Sequence, residues 1–139
     1  MTTREFINAN FGQSGRSKDC SSVHKDQDGN IYSYGYHYPL LFKINGHNVR
    51  NVRGYSSTTA RHILWSRDID AIDIEMPYGF RLGNDAWNYA EGLRGQLAYV
   101  EQCKKELDSK KRKDTQVYRF LQSRYERAVN NLERLQATK

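Results

Sequence analysis

The side chains able to move protons near neutral pH are four histidines, His24, His37, His47 and His62. Two of them, working as acid and base beside an arginine that steadies a phosphorane, would make a metal-independent ribonuclease. His37 and His62 with Arg61 form the best trio available, yet no spacing supports it. His37 falls opposite the tyrosines of its strand, and His62 reads as a hydrogen-bonding group near a helix end. The run Ser56-Ser57-Thr58-Thr59 before His62 offers nucleophiles. It lacks a G-x-S-x-G elbow, and hydroxyls in front of a helix satisfy its first amides as caps. Amides left free there suit a phosphate. Asp68, Asp70, Asp73 and Glu75 crowd one segment, as the carboxylates of a two-metal nuclease do. The same alternation describes the solvated side of an edge strand. No P-loop, dinucleotide fingerprint or EF-hand is present. The expectation is a non-enzymatic protein without catalytic residues, cofactor or metal ligands. A small nuclease ranks behind two binding readings.

Binding chemistry is more evident. From Gly29 to Arg67 there is no Asp or Glu. That window carries Lys43, Arg50, Arg53, Arg61 and Arg67, three histidines and seven aromatic residues. Cations neutralise phosphates and aromatic rings stack on bases, so the mixture suits single-stranded nucleic acid or structured RNA. Tyr, Trp and Arg are equally the favoured anchors of a protein interface. In Ile31–Ile44, IYSYGYHYPLLFKI, tyrosine occupies positions 32, 34, 36 and 38, which a single extended strand would place on one face. Leu40, Phe42 and Ile44 continue that parity. The stripe should therefore grade from a contact surface at Tyr32 and Tyr34 into a core rim at Tyr36 and Tyr38. Lys110-Lys111-Arg112-Lys113 exceeds what a helix end needs to complement its dipole, and Arg119 extends it. The expected contact set is Tyr32, Tyr34, Arg50, Arg53, Arg61, His62, Lys110, Lys111, Arg112, Lys113 and Arg119.

Two segments in this window, SYGYHYP at Ser33–Pro39 and YSSTTARH at Tyr55–His62, resemble a signature of small, mostly uncharacterised phage and plasmid proteins. The shared pattern is roughly SYGxHYP followed by YSxTTxRH, and it covers about residues 30–65, under a third of the chain. The resemblance implies a mobile-element origin and assigns no activity to individual residues. Small proteins of that origin often inhibit host defence, as anti-CRISPR proteins do by binding an effector nuclease. By that analogy the chain is expected to occlude a host nucleoprotein such as a CRISPR effector. The alternative is an accessory protein that binds DNA or RNA directly.

The elements that must hold these residues follow from 139 residues, 37% of them hydrophobic, which suit one modest domain or a small one with an appendage. Residues 1–80 hold 9 Lys/Arg and 8 Asp/Glu, whereas residues 81–139 hold 13 and 8, so the net charge of +6 sits mainly in the second part. Cys20 and Cys103 form no metal-binding pattern, and no signal peptide or long apolar run is present. A reduced protein in the cytoplasm of a bacterial host, without a membrane partner, is expected. A short helix near Phe6 and Ile7 precedes a loop at 12–22. Asn45-Gly46 predicts a hairpin between Leu40–Ile44 and His47–Val52. Ser56 or Ser57 caps a short helix, and Asp68–Met76 reads as a strand whose apolar parity switches, suggesting a bulge or a misplaced boundary. Beyond residue 80, apolar steps at Ala86, Ala90, Leu93, Leu97, Val100 and Leu107 predict one helix capped by Asn84 or Asp85. Tyr118, Leu121, Tyr125, Ala128, Leu132 and Leu135 predict a second with a heptad seam, capped by Asp114. The predicted fold is α+β: a small antiparallel sheet with a short helix over 1–80, then an antiparallel two-helix hairpin over 81–139. The last seam could also bury itself in a homodimer.

Overall fold

The computed structural model describes residues 1–139. Local chemistry sets the ends of its elements. The Thr2 hydroxyl accepts the Glu5 amide at 3.1 Å and opens helix α1 (Thr3–Asn10). Ser56 caps α2 (Ser57–Trp65), Asn84 caps α3 (Asp85–Asp108) and Thr115 caps α4 (Gln116–Gln136). Each such cap contributes about 1 kcal/mol. Thr115 replaces the expected Asp114 because its hydroxyl is the one that meets the Tyr118 amide, at 3.1 Å.

Six strands, β1 (Lys18–Cys20), β2 (Val23–Lys25), β3 (Ile31–Ser33), β4 (Tyr38–Ile44), β5 (His47–Asn51) and β6 (Ile72–Ile74), lie in chain order in one sheet. Neighbours are antiparallel except β5 and β6, which run parallel. A parallel pair needs a crossover, and α2 with a 3-10 turn at Ser66–Asp68 supplies it. The β4–β5 hairpin closes at Asn45-Gly46, with φ of +51° and +82°, the two positive values that a type I′ turn requires. The 12–22 segment, expected as loop throughout, contains β1, too short to display a period.

The tyrosine stretch is two strands, not one. Tyr34 and Gly35 both take positive φ, +59° and +61°, and Ser33 pairs with Tyr38 across the loop that results. The turn cancels the alternation: Tyr32 and Tyr38 are buried, while Tyr34 and Tyr36 are exposed. Beside Pro39 the register slips, Tyr32 facing Pro39 while Ile31 faces Leu41. Proline has no amide to give, so a bulge at Leu40 sacrifices little ladder there. The parity switch at 68–76 is a boundary. Ile69 and Ala71 follow the 3-10 turn and pack with one apolar cluster, whereas Ile72 and Ile74 belong to β6 and the other.

Helices cover both faces of the sheet. Phe6 and Ile7 of α1 pack with Val23, Ile31 and Leu41, and Ile63 and Trp65 of α2 close the rim. In the other cluster Phe42, Ile44, Val49, Ile72, Ile74 and Met76 meet Leu135 of α4 and Tyr89 and Leu93 of α3. The parts distinguished by composition, 1–80 and 81–139, thus share a core. On α4 the heptad seam holds, with Leu121, Ala128, Leu132 and Leu135 buried. On α3 it does not. Ala86, Ala90 and Leu97 are exposed, and Asn88, Gly92, Gly95, Gln96, Cys103 and Leu107 turn inward. Glycines let the helix backbone approach the sheet, and Gln96 fills the polar gap beside them. Its carbonyl accepts the Glu75 amide at 2.8 Å, and its amide donates to the Ala128 carbonyl at 3.0 Å. No helix is long and apolar enough to cross a membrane.

Candidate functional site

Strand directions bring three connections to the same end of the sheet. β3 finishes there, β4 starts there, and β5 and its parallel neighbour β6 finish there. The loops after β3, β5 and β6 therefore meet, carrying Tyr34, Tyr36, Tyr55 and Tyr78, which are 37, 50, 58 and 77% exposed. Tyr55 lies between Tyr34 and Tyr38, with ring centroids at 5.9 and 5.6 Å, and Tyr36 stands edge-on to Tyr32 at 5.0 Å. Buried Tyr38 supports them: its hydroxyl lies 2.8 Å from the Asn51 carbonyl and 2.7 Å from that of Arg53. Burial drives its phenol well above the ordinary range. Arg53 donates to the Met76 carbonyl at 2.8 Å and places its guanidinium 4.7 Å from the centre of the Tyr78 ring. A cavity of about 430 Å³ lined by Arg53, Pro77, Tyr78, Ala98 and Gln102 carries this face onto the stem of α3.

Of the expected contacts, Tyr34 and Arg53 stand at this end. The hydroxyl of Thr58, then that of Ser56, holds the Tyr34 phenol below its ordinary value. Arg61 is exposed on α2 and forms no ion pair. Three of the expected contacts are instead internal. Tyr32 is buried and donates to Asp26 at 2.9 Å; burial and then that carboxylate raise its pKa. Arg50 is buried and bonds to Ser66, Asp73 and the Ile69 carbonyl. His62 is buried with Nδ1 2.7 Å from the Ser33 hydroxyl, which also lies 2.9 Å from Thr59. Lys110, Lys111, Arg112, Lys113 and Arg119 are exposed at the tip of the hairpin. From Gln96, where α3 meets the sheet, to Asp108 the stem runs roughly 18 Å at a rise of about 1.5 Å per residue.

The fold does not bring the candidate catalytic groups of the sequence together in one open site. Ser33 and His62 have the spacing of a nucleophile and its base, but both are closed off from solvent and line none of the larger cavities. His37 stands on the exposed β3–β4 loop, and no hydrogen bond links it to His62. Asp68 pairs with Arg4 at 2.7 Å, Asp73 with Arg50 and Arg67, and Glu75 with Arg53 at 3.4 Å. Three or more metal-ligating side chains do not gather at any point.

The environment of His62 predicts a pH effect. Burial first, and the nearby Arg61 charge second, lower its pKa below the ordinary 6.5. The unfolded chain therefore takes up a proton before the folded one does. The contribution of neutral His62 to stability is complete above pH 6.5 and is lost as pH drops from there through the folded value. The melting temperature should decline over this window in the wild type and decline less in His62→Asn. Parallel curves would show that other groups set the acid limit.

Sequence reasoning missed Tyr36, Tyr55 and Tyr78 as a group, since only the strand directions assemble them. Gly35 was the available signal for the turn that exposes Tyr36. Comparison with protein-family models, curated proteins and solved structures gave no match.

Proposed function

We propose that the protein acts without catalysis, as a binding protein of a phage or mobile element that occludes a host defence nucleoprotein. The observation that carries this reading is the convergence of Tyr34, Tyr36, Tyr55 and Tyr78 from three loops onto one end of the sheet, over Tyr38 and Arg53. Folding alone gives no reason to gather exposed rings, whereas tyrosine backed by arginine is a recurrent anchor of interfaces. The two segments that resemble the mobile-element signature also come together here. Ser33 touches Thr59 and His62, and Tyr34 lies against Tyr55. That supports an inhibitor of mobile-element origin. Arg61 and the Lys110–Lys113 tip add positive charge suited to the anionic surface of a nucleoprotein.

The tagged protein, incubated with extract of a bacterium carrying an active CRISPR nuclease, should retain that nucleoprotein and lower its cleavage of target DNA. Tyr55→Ala combined with Tyr78→Ala should weaken retention by about a hundredfold, the scale of two interface anchors. Its melting temperature should stay near that of the wild type, because both rings are exposed. Equal retention by the double variant would remove the tyrosine end as the contact. Binding of naked nucleic acid with affinity that falls steeply with salt would favour the accessory DNA- or RNA-binding alternative.

A further inference from the structure

A second concave site lies at the β6 edge of the sheet, where α4 passes it. The cleft has a volume of about 300 Å³, and Arg67, Arg124, Arg127, Asp73, Glu75 and Tyr99 are among its walls. Its carboxylates are already matched. One Asp73 oxygen receives Arg50 at 2.6 Å and the other receives Arg67. Glu75 faces Arg53 at 3.4 Å, and Glu106 beside the cleft pairs with Arg124. Two sets of donors remain unmatched. Arg127 is exposed and forms no ion pair. The Nε of Arg124 is buried without a hydrogen-bond partner, and no other buried side-chain nitrogen or oxygen in the protein shares that condition. That nitrogen is closed to solvent and so cannot itself reach an anion in the cleft; the donor that Arg124 offers there is Nη1, which forms no hydrogen bond and is not buried.

The geometry points to an anion site: the cleft takes a phosphate group, gripped by Arg124 and Arg127 with Arg67 facing them. Arg124 and Arg127 stand three residues apart on α4, so both project to one side of the helix. Around the cleft five guanidinium groups, of Arg50, Arg53, Arg67, Arg124 and Arg127, meet three carboxylates, of Asp73, Glu75 and Glu106. The excess of two positive charges fits a phosphate better than a single carboxylate, and guanidinium forks match phosphate oxygens in pairs. This site adjoins the tyrosine end, with Tyr99 lining both cavities and Arg53 between them, but it does not depend on the function proposed for that end.

The phosphate belongs either to a nucleic-acid backbone or to a small free ligand, and one titration separates the two. The full-length protein, labelled with nitrogen-15, is titrated at low ionic strength with inorganic phosphate and then with a short single-stranded oligonucleotide. Amides of Gln96, Tyr99, Arg127 and Asn131 should shift together and saturate with phosphate. Arg127→Ala should weaken that binding by about tenfold, as expected for loss of one charge-assisted fork. Arg124→Lys, which keeps a cation for Glu106 but removes the planar guanidinium fork, should weaken it as well. If the oligonucleotide moves the same amides and also loses affinity in Arg127→Ala, the phosphate is that of a nucleic-acid backbone. If only inorganic phosphate does so, it is that of a small ligand. Shifts confined to Lys110–Lys113, absence of saturable shifts, or equal affinity in Arg127→Ala would overturn the assignment. The Tyr55/Tyr78 double variant should bind phosphate as the wild type does, so failure of the tyrosine-end reading and failure of this one remain distinguishable.

Discussion

Arg50→Ala should lower folding stability by about 3 kcal/mol, the lower end of what removing one member of a buried ion pair costs. The Arg50 side chain is 4% exposed. Its guanidinium donates to the Ser66 hydroxyl at 2.9 Å, the Ser66 carbonyl at 2.8 Å, Asp73 at 2.6 Å and the Ile69 carbonyl. One side chain on β5 therefore ties down both the 3-10 turn and β6, the two ends of the crossover that makes the last strand pair parallel. Removal leaves the buried Ser66 carbonyl and the part-buried Ile69 carbonyl short of a donor, and a buried group without its partner costs about 1–3 kcal/mol. Asp73 keeps Arg67, so its charge is not left alone, which places the expected loss below that of an isolated buried carboxylate. Arg50→Lys should recover only part of the loss, because an ammonium cannot span the same acceptors as a planar fork. Urea denaturation measures the difference. A change below about 1 kcal/mol would class the residue with ordinary surface pairs and reopen it as a contact group.

The second large effect is expected at Gly95, and there two local rules disagree. Alanine is favoured over glycine in a helix by about 1 kcal/mol, so propensity alone predicts a gain for Gly95→Ala. The tertiary contact predicts a loss. A Cβ at residue 95 would overlap the Glu75 carbonyl oxygen and sit 2.8 Å from Pro77 Cδ and 2.9 Å from Pro77 N. These neighbours are backbone and a proline ring, which cannot swing aside as a flexible side-chain tip would. Overpacking typically costs about 1–3 kcal/mol and sometimes more, so the contact outweighs propensity and the net change should be a loss of about 2 kcal/mol. Gly54→Ala provides the control. Nothing lies within 4 Å of its added Cβ and its φ is not positive, so it should be neutral or slightly stabilising. Thermal melts of the two variants should move in opposite directions. Stabilisation of Gly95→Ala would mean that α3 does not sit this close to the end of β6. Because Gly95 adjoins Pro77 and Tyr78 in the cavity beside the tyrosine end, its substitution should also weaken partner retention.

Much of the fold can be read without coordinates because its signals act over a few residues. A hydroxyl or amide side chain before a helix satisfies orphan amides two or three positions away, as Thr2, Ser56 and Asn84 do. Asn45-Gly46 accepts positive φ at low cost, which decides the hairpin. The seam from Leu121 to Leu135 repeats at the period of the helix itself. Where local signals were weak or ambiguous, the expectation failed. Alternating tyrosines describe one face only while the strand stays straight, and the turn at Tyr34-Gly35 reverses the chain halfway. On α3 the apolar count favoured Ala86, Ala90 and Leu97, but a helix that must lie close to a sheet buries its glycines instead.

The candidate sites divide along the same line. By itself the sequence determined that this is an α+β protein with a helical hairpin, a basic second part and an aromatic–arginine window free of acidic residues. Those properties belong to composition and to neighbours in the chain. Only the tertiary structure decided which of these residues meet solvent. Arg50 and Arg53 lie three residues apart on one segment, yet the first is a buried tie and the second lies under Tyr78. The difference arises because strand direction and crossover bring segments 20 or more residues distant against each side chain. Exposure is a property of those distant partners, and no local pattern encodes it.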